Sequence, residues 1–227
     1  MSGDDNSKKW VVIMIGPPGS GKDTQADLLS RELGLEEVKM SALINKKLDS
    51  APADDPVMNQ ERELKRSGQL NSGELVNQWL DEAIADLAKK GNGFVLNGAL
   101  RRVLEAEHTL NTIQKYYDLQ NLKIVQIALS QEESVTRNSH RRVCQANRHP
   151  IPNFPEFADL KTCPQDGSPI MIREDDSPET VKKRYEVYLE ESKPVIDFLS
   201  KKGYNIIAIN GEQKPEDVHR EILNKLW

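Results

Sequence analysis

Cysteine is scarce in this sequence of 227 residues, which contains only Cys144 and Cys163. Two cysteines argue against a disulfide framework as the basis of the fold. Apolar runs of membrane-spanning length are also lacking, so we expect no transmembrane helix. Residues 1–9 are polar and lack the apolar core of a signal peptide, and we interpret them as a solvated tail of a cytoplasmic protein.

A basic excess is lacking as well, since the formal net charge is −5. This charge argues against a general nucleic-acid surface, so we expect no nucleic-acid partner. The sequence shows no internal repeat. Its length fits one α/β domain with insertions, or two small domains, and suffices to bury a sizeable core.

One glycine-rich stretch stands between an apolar run and a helical pattern. Its residues, which we predict to bind phosphate groups, are Gly16, Pro17, Pro18, Gly19, Ser20, Gly21, Lys22, Asp23 and Thr24. Backbone N–H groups in such a turn form a nest for phosphate oxygens, and the lysine adds a positive charge. The spacing fits the Walker A pattern except at Asp23, where serine or threonine is expected. A glycine-rich turn with a stray lysine is the structural alternative.

Short apolar segments alternate with helical patterns along the rest of the chain. We predict strands at 10–15, 37–40, 93–96, 123–129 and 205–209. We predict helices at 22–33, 41–48, 56–66, 72–90, about 99–117, 131–142, 177–191, 194–202 and 215–226, with Ser72 as a cap. This alternation predicts a parallel β-sheet flanked by helices on both faces. Residues 143–172 lack periodicity and are interpreted as an inserted flap.

Several segments in one order resemble the adenylate kinase family of nucleoside monophosphate kinases. They are GPPGSGKDTQA, GQL followed by ELV, GFVLNGALRR, RNSHRR, IREDD and ETVKKRYEVY. The resemblance covers the chain after residue 9 and is weak over 40–60. It implies a P-loop NTPase fold with a core (10–39, 69–142 and 173–227), a helical NMP-binding insertion (40–68) and a LID flap (143–172). The implied activity is transfer of the γ-phosphoryl group of Mg·ATP to AMP.

Arginine is suited to this chemistry because its planar, permanently charged fork binds phosphate oxygens in pairs. By resemblance, Arg101 holds the acceptor phosphate, Arg137 and Arg141 serve the donor, and Arg173 and Arg184 clasp the transferring group. With Lys22, these five arginines form the predicted catalytic set. Salt-bridged surface arginines are the alternative for any single one, and Arg142 and Arg148 are interpreted in that way. Asp175 and Asp176 resemble the acidic pair that couples the flap to the core, or are a helix N-terminal acidic turn.

The acceptor-binding segment departs from the family pattern. Met40 replaces the hydroxyl residue that contacts adenine, and Asn45 replaces an arginine for the AMP phosphate. Gly98 and Arg101 remain, and with Arg173 and Arg184 they complete the predicted NMP-binding set. Glu105 replaces the glutamine that reads adenine, and a carboxylate only accepts hydrogen bonds. Lys46 or Lys47 is a candidate for the lost charge; alternatively, this half has drifted and the enzyme is slow.

The flap carries Cys144-x-x-Asn147 and Cys163-x-x-Asp166, where some family members hold zinc through four ligands. Zinc prefers four N, S or O ligands in a tetrahedron, and asparagine is a poor ligand. His149 is a nearby substitute. We expect these positions to form a zinc-free polar knot rather than a Cys144, Cys163 and Asp166 zinc site. A disulfide between the cysteines is a further alternative under oxidation.

Asp23 and Asn97 reverse a family pattern, in which glycine follows the loop lysine and aspartate ends the second strand. The family aspartate helps to hold Mg²⁺. We therefore hypothesise that the acidic Mg²⁺ partner has moved from position 97 to Asp23, because Mg²⁺ favours oxygen ligands. The alternative is that Asp23 only stabilises the first turn of its helix.

These observations predict a monomeric kinase that transfers phosphoryl groups between nucleotides, with ATP and AMP as partners and Mg²⁺ as cofactor. The same reaction with another monophosphate acceptor is the nearest alternative. An ATP-binding protein without turnover is an alternative from another class, but such a protein needs only the loop and the flap, not the arginines.

Overall fold

The computed structural model describes residues 9–139, 141–146, 149–151, 157–172 and 176–227. Its strands are β1 (Val11–Ile15), β2 (Glu36–Lys39), β3 (Phe94–Asn97), β4 (Leu122–Ala128), β5 (Arg142–Cys144), β6 (Pro150–Ile151), β7 (Ile170–Ile172) and β8 (Ile206–Asn210). Its helices are α1 (Lys22–Leu33), α2 (Met40–Ser50), α3 (Pro56–Arg66), α4 (Gly73–Lys90), α5 (Val103–Tyr116), α6 (Gln131–Ser139), α7 (Pro178–Val187), α8 (Lys193–Lys201) and α9 (Pro215–Leu226). Short helical turns lie at Leu119–Asn121 and Tyr188–Ser192.

Five strands form a parallel sheet in the order β2-β3-β1-β4-β8. The central strand β1 is completely buried because its side chains alternate between two apolar layers. Ile13 packs in the layer formed with α4, α5 and α8, whereas Met14 packs in the layer formed with α1 and α9. Burial on both faces explains the continuous apolar run of this strand. The observed sheet confirms the α/β fold class.

The carboxyl ends of the parallel strands lie along one edge of the sheet, and this edge positions the site. Ile15 leads from β1 into the glycine-rich loop, Lys39 ends β2 and Asn97 ends β3. Loops that leave such an edge form the usual ligand-binding crevice of open α/β sheets. Side chains from three neighbouring strands are therefore brought together at the start of α1.

Residues 142–172 contain a small antiparallel sheet in the order β6-β5-β7, which the sequence pattern does not predict. Its strands have only two or three residues, too few to display an alternation. The predicted helix 131–142 ends at Ser139, and Arg142 already belongs to β5. Residues 147–148 and 152–156 of this segment lie outside the described residues.

Two further helix predictions need correction. The helix predicted over 177–191 ends at Val187 and continues into a wider turn, Tyr188–Ser192, before α8 begins. Ser72 precedes α4 but makes no capping hydrogen bond, because its hydroxyl donates to the buried Glu61 carboxylate. Within the described part of the chain, each helix is too short or too polar to span a membrane.

Candidate active site

A cavity of about 1700 Å³ lies at the carboxyl edge of the parallel sheet. It exceeds the 300–1000 Å³ typical of a single small-molecule site, so two ligands fit side by side. The loop side of the cavity, as we call it, comprises Gly16, residues 18–24, Arg137 and Arg141. The α2 side comprises Lys39, Met40, Ser41, Ile44, Gly98, Arg101 and Glu105.

The glycine-rich loop folds tightly around the side chain of Lys22. The Lys22 ammonium donates hydrogen bonds to the carbonyl oxygens of Gly16 (2.7 Å) and Pro17 (2.8 Å), and to the Ser20 hydroxyl (3.3 Å). Burial, followed by the charge of Arg101, lowers the pKa of Lys22 to about 7. The lysine is thus held by two backbone carbonyl oxygens and one hydroxyl, and a phosphate group bound beside it would raise its pKa and favour the charged form.

Glycine is required in this loop because neighbouring groups leave no room for a side chain. A Cβ atom on Gly16 would lie 2.4 Å from the Ile127 carbonyl oxygen, and one on Gly19 would lie 2.3 Å from the Asn138 amide nitrogen. Asn138 and Ser134 are buried on α6, and the Ser134 hydroxyl donates to the Pro18 carbonyl at 2.7 Å. Neither Ser134 nor Asn138 was predicted from the sequence as a contact of the loop. Their polar i, i+4 spacing on a short helix is the signal that was available.

Four of the five predicted arginines line the cavity, namely Arg101, Arg137, Arg141 and Arg184. Arg141 donates two hydrogen bonds to the buried Asp176 carboxylate, at 2.8 and 2.9 Å, and Arg184 donates a third at 3.2 Å. Asp176 thereby joins the segment entering the flap to α7. Arg173 and Asp175 lie outside the described residues.

The remaining arginines differ in their surroundings. Arg137 is paired with Glu133 at 2.7 Å, and the Arg101 side chain donates to the Gly98 carbonyl at 2.9 Å. Burial lowers the pKa of Arg101 from its usual value. Arg142, interpreted from sequence as a surface residue, instead donates hydrogen bonds to flap carbonyl groups at residues 157, 158 and 160. Arg148 lies outside the described residues.

The α2 side contains fewer of the predicted groups. Met40 lines the cavity, but Asn45 is absent from the cavity-lining residues of the described chain. Lys47, a candidate for replacing the lost phosphate charge, pairs with Glu82 at 2.6 Å, and neither it nor the exposed Lys46 is among those lining residues. The two lysines of this region that line the cavity are instead Lys39 and Lys65.

Glu105 is buried and already engaged. Its carboxylate accepts a hydrogen bond from the Arg101 backbone N–H at 3.2 Å and from the Arg102 guanidinium at 3.0 Å. Each carboxylate oxygen has a second lone pair, so Glu105 can still accept from a ligand. Leu100, which directly precedes Arg101, adopts a positive φ of 55° at the turn before α5, an uncommon conformation for a branched residue.

Asp23 and Asn97, singled out as a reversed pair, are in direct contact. The Asn97 amide donates to Asp23 Oδ1 at 2.8 Å and to Glu37 Oε1 at 3.1 Å, and Lys39 Nζ lies 3.0 Å from Asp23 Oδ2. Burial acts to raise the pKa of Asp23, but the Lys39 ammonium and the Asn97 amide together lower it to about 2. Burial raises the pKa of Glu37. A cation therefore lies beside Asp23, and it is Lys39.

Four potential metal ligands meet in the flap, since ligand atoms of Cys144, His149, Cys163 and Asp166 lie within 4.8 Å of one another. Cys144 Sγ lies 3.2 Å from Asp166 Oδ2, Cys163 Sγ lies 3.5 Å from His149 Nδ1, and His149 Nδ1 lies 3.2 Å from Asp166 Oδ2. Tetrahedral zinc with ordinary bond lengths would set such ligand atoms about 3.3–3.8 Å apart. His149 therefore takes the fourth ligand position that the sequence pattern places at Asn147, which lies outside the described residues, and the two cysteines form no disulfide.

Comparisons with known proteins agree with this geometry. The family model described as adenylate kinase matches residues 14–204. The chain is 32% identical over 219 residues to the adenylate kinase of Haloarcula marismortui, covering 93% of this chain and 94% of that protein. It is 30% identical to the adenylate kinases of Chloroherpeton thalassium (93% and 95% covered) and Petrotoga mobilis (95% and 96%).

Proposed function

Because this chain belongs to the adenylate kinase family of phosphotransferases acting on nucleoside monophosphates, we propose that it moves the γ-phosphoryl group of Mg·ATP reversibly to AMP, giving two ADP. The observation that carries this proposal is a single cavity, large enough for two ligands, lined by the phosphate loop and four arginines. Phosphoryl transfer needs positive charge around the transferring group and in-line positioning rather than covalent participation by the protein.

We place ATP on the loop side and the acceptor on the α2 side. Backbone N–H groups of residues 19–24 would bind the triphosphate, and Lys22 would exchange its carbonyl partners for phosphate oxygens. Arg137 and Arg141 would neutralise the donor, while Arg101 and Arg184 would hold the acceptor phosphate and the group in transfer. Arg173 completes this set in the proposal. Bound Mg²⁺ would add charge neutralisation, and Asp23 is the residue we propose to face it.

Closure of the insertion 40–68 and of the flap 143–172 would exclude water, which would otherwise hydrolyse ATP. The Asp176 contacts with Arg141 and Arg184 support this role, because they join the flap segment to α7 beside the cavity. We propose a cytoplasmic monomer that uses ATP and a nucleoside monophosphate, without nucleic-acid or membrane partners.

The flap group also supports zinc as a structural ion, contrary to the preference drawn from sequence. Two thiols, one imidazole and one carboxylate are a ligand set typical of zinc, and their spacing in the flap suits tetrahedral binding. Zinc would tie the strand β5 to the turn at residues 163–166. It would not take part in the transfer, since structural zinc sites leave no coordination position open to substrate.

The deciding experiment is a coupled ADP-release assay with Mg·ATP against AMP, GMP, CMP, UMP and dAMP. We expect AMP to give the highest kcat/KM. A higher kcat/KM with another monophosphate would support a nucleoside monophosphate kinase but reject AMP as its substrate. This is the nearest alternative, because the Glu105 carboxylate can only accept hydrogen bonds. ATP binding without turnover of any acceptor would reject the kinase proposal in favour of a binding protein. As a control, Lys47→Met removes a charge outside the cavity lining and should leave the ranking of acceptors unchanged.

A further inference from the structure

The α2 side of the cavity contains a lysine that the sequence analysis did not assign. Lys39 is the last residue of β2 and therefore lies at the carboxyl edge of the sheet, directly before Met40. Its side chain lines the cavity and is 31% exposed, so the ammonium group reaches solvent space rather than being enclosed by protein. Lys47, by contrast, forms an ion pair with Glu82 and does not line the cavity.

The position of the Lys39 ammonium is fixed by Asp23. The two groups are 3.0 Å apart, and the Asn97 amide holds the other oxygen of the same carboxylate at 2.8 Å. Asp23 directly follows Lys22, so this arrangement anchors a cation of the α2 side next to the phosphate loop. Among the described residues, Asp23 is the only acidic residue within ion-pair distance of the Lys39 ammonium. An ammonium group has three N–H donors, and one such partner leaves others for a ligand.

In-line transfer requires the acceptor phosphate to lie next to the γ-phosphate, close to the loop lysine. A cation anchored at the residue after that lysine, on the acceptor side of the cavity, is within reach of both groups. An unpaired carboxylate at position 23 would repel these phosphates, so the pair also removes an unfavourable charge.

We infer that Lys39 binds the phosphate of the acceptor nucleotide and that Asp23 positions it. This inference rests on the proposed function and deepens it, because it assigns a residue for a dianionic phosphate monoester on the side of the cavity where Asn45 supplies no charge. Asp23 acts through Lys39 and is a positioning residue in this respect.

The test is calorimetric binding of AMP and of adenosine, without ATP or Mg²⁺, to the full-length chain. If another monophosphate is turned over faster, that nucleotide and its nucleoside are used. Lys39→Met should weaken AMP binding about tenfold or more, the value of one charge-assisted hydrogen bond, and leave adenosine binding unchanged. Lys39→Arg should retain most of the affinity, and the matched control Lys47→Met should bind like wild type. Equal weakening of AMP and adenosine, or none, would overturn the inference.

A double variant separates phosphate binding from mere neutralisation of Asp23. If Lys39 only neutralises the carboxylate, Asp23→Asn combined with Lys39→Met restores AMP binding, because no unpaired charge remains. If Lys39 contacts the phosphate, the double variant regains only the part of the affinity that repulsion by the unpaired carboxylate removed, and it stays weaker than wild type. An unchanged Lys39 variant in an active kinase overturns this inference alone, whereas a wild-type protein that binds none of the five monophosphates overturns both proposals.

Discussion

The two sides of the cavity hold their ligands by different means. On the loop side, phosphate would be bound by backbone N–H groups and by arginines, and the residues there other than Asp23 keep the family pattern and meet at one place. On the α2 side, the acceptor base and phosphate would depend on individual side chains, and Met40, Asn45 and Glu105 all depart from that pattern. Backbone recognition tolerates little variation because Gly16 and Gly19 have no room for a Cβ and Gly21 has a positive φ of 93°, whereas side-chain recognition can be reassigned residue by residue.

The largest expected effect tests the loop side. Lys22→Ala should lower kcat/KM by at least two orders of magnitude, because one preorganised charge aimed at the transition state is removed. The circular dichroism spectrum should be unchanged, since the other loop contacts, such as Ser134 to Pro18, remain. A loss of less than about tenfold, equal to about 1.4 kcal/mol, would refute the phosphate-loop assignment and with it the distinction between the two sides.

The second test concerns the flap, which we propose to close over the loop side. We expect protein purified without chelator to contain one zinc ion per chain and to lose thermal stability when a chelator is added. Removing an ion present at a hundredfold excess over its Kd costs about 2.7 kcal/mol, or about 5–10 °C in Tm. His149→Asn should reduce the zinc content, while a control in the same segment, Gln145→Ala, should not. If the purified protein contains no zinc and its Tm does not change with chelator, the zinc-free polar knot is the correct interpretation of the flap.

Sequence was sufficient to predict the loop side and most of the fold. The parallel sheet and the α1 and α9 boundaries follow from apolar runs and glycine spacing, which are local signals, whereas the four cavity-lining arginines were predicted from the resemblance to the family. The Asp23–Lys39–Asn97 contact was not predicted, because it joins residues far apart in sequence through strand register. The flap sheet has strands too short for periodicity, and Ser72 lost its expected capping bond to a competing buried acceptor, Glu61. Tertiary contacts decided each of these cases.

The third test concerns base recognition on the α2 side. Glu105→Gln should raise kcat/KM for AMP relative to the other acceptors by about tenfold, because an amide offers the donor that adenine N1 needs. Glu105 faces the Arg102 guanidinium at 3.0 Å, so Arg102→Gln serves as a control for losing that ion pair alone. An unchanged ranking of acceptors would mean that Glu105 does not read the base.

A smaller effect should appear in the protonation of Lys22. Its pKa of about 7 in the free protein means that at pH 8.5 the amine is largely neutral, and a bound triphosphate would raise that pKa again. ATP binding at pH 8.5 should therefore take up about one proton, and binding at pH 6 should take up none through this group. Calorimetry in two buffers of different ionisation enthalpy measures the uptake. Lys22→Arg, which stays charged, should show none; equal uptake by both proteins would exclude Lys22 as its source.

The smallest expected effect concerns the magnesium partner, where the two sides of the cavity meet. Because the Asn97 amide touches Asp23 Oδ1 at 2.8 Å, a carboxylate at either position would lie in the same part of the cavity, between the start of α1 and the end of β3. Asp23 also holds Lys39, but a carboxylate has about four lone-pair sites and can accept from a metal-bound water as well. Asp23→Gly should raise the Mg²⁺ concentration needed for half-maximal kcat/KM about threefold, and Asn97→Asp should restore it in that background.

ATP binding titrated with Mg²⁺ gives the same readout without turnover, and AMP binding without Mg²⁺ isolates the role of Asp23 that acts through Lys39. Strictly additive effects in this cycle, or an Asp23→Gly protein more active at every Mg²⁺ concentration, would leave Asp23 only its helix-terminal and Lys39-positioning roles.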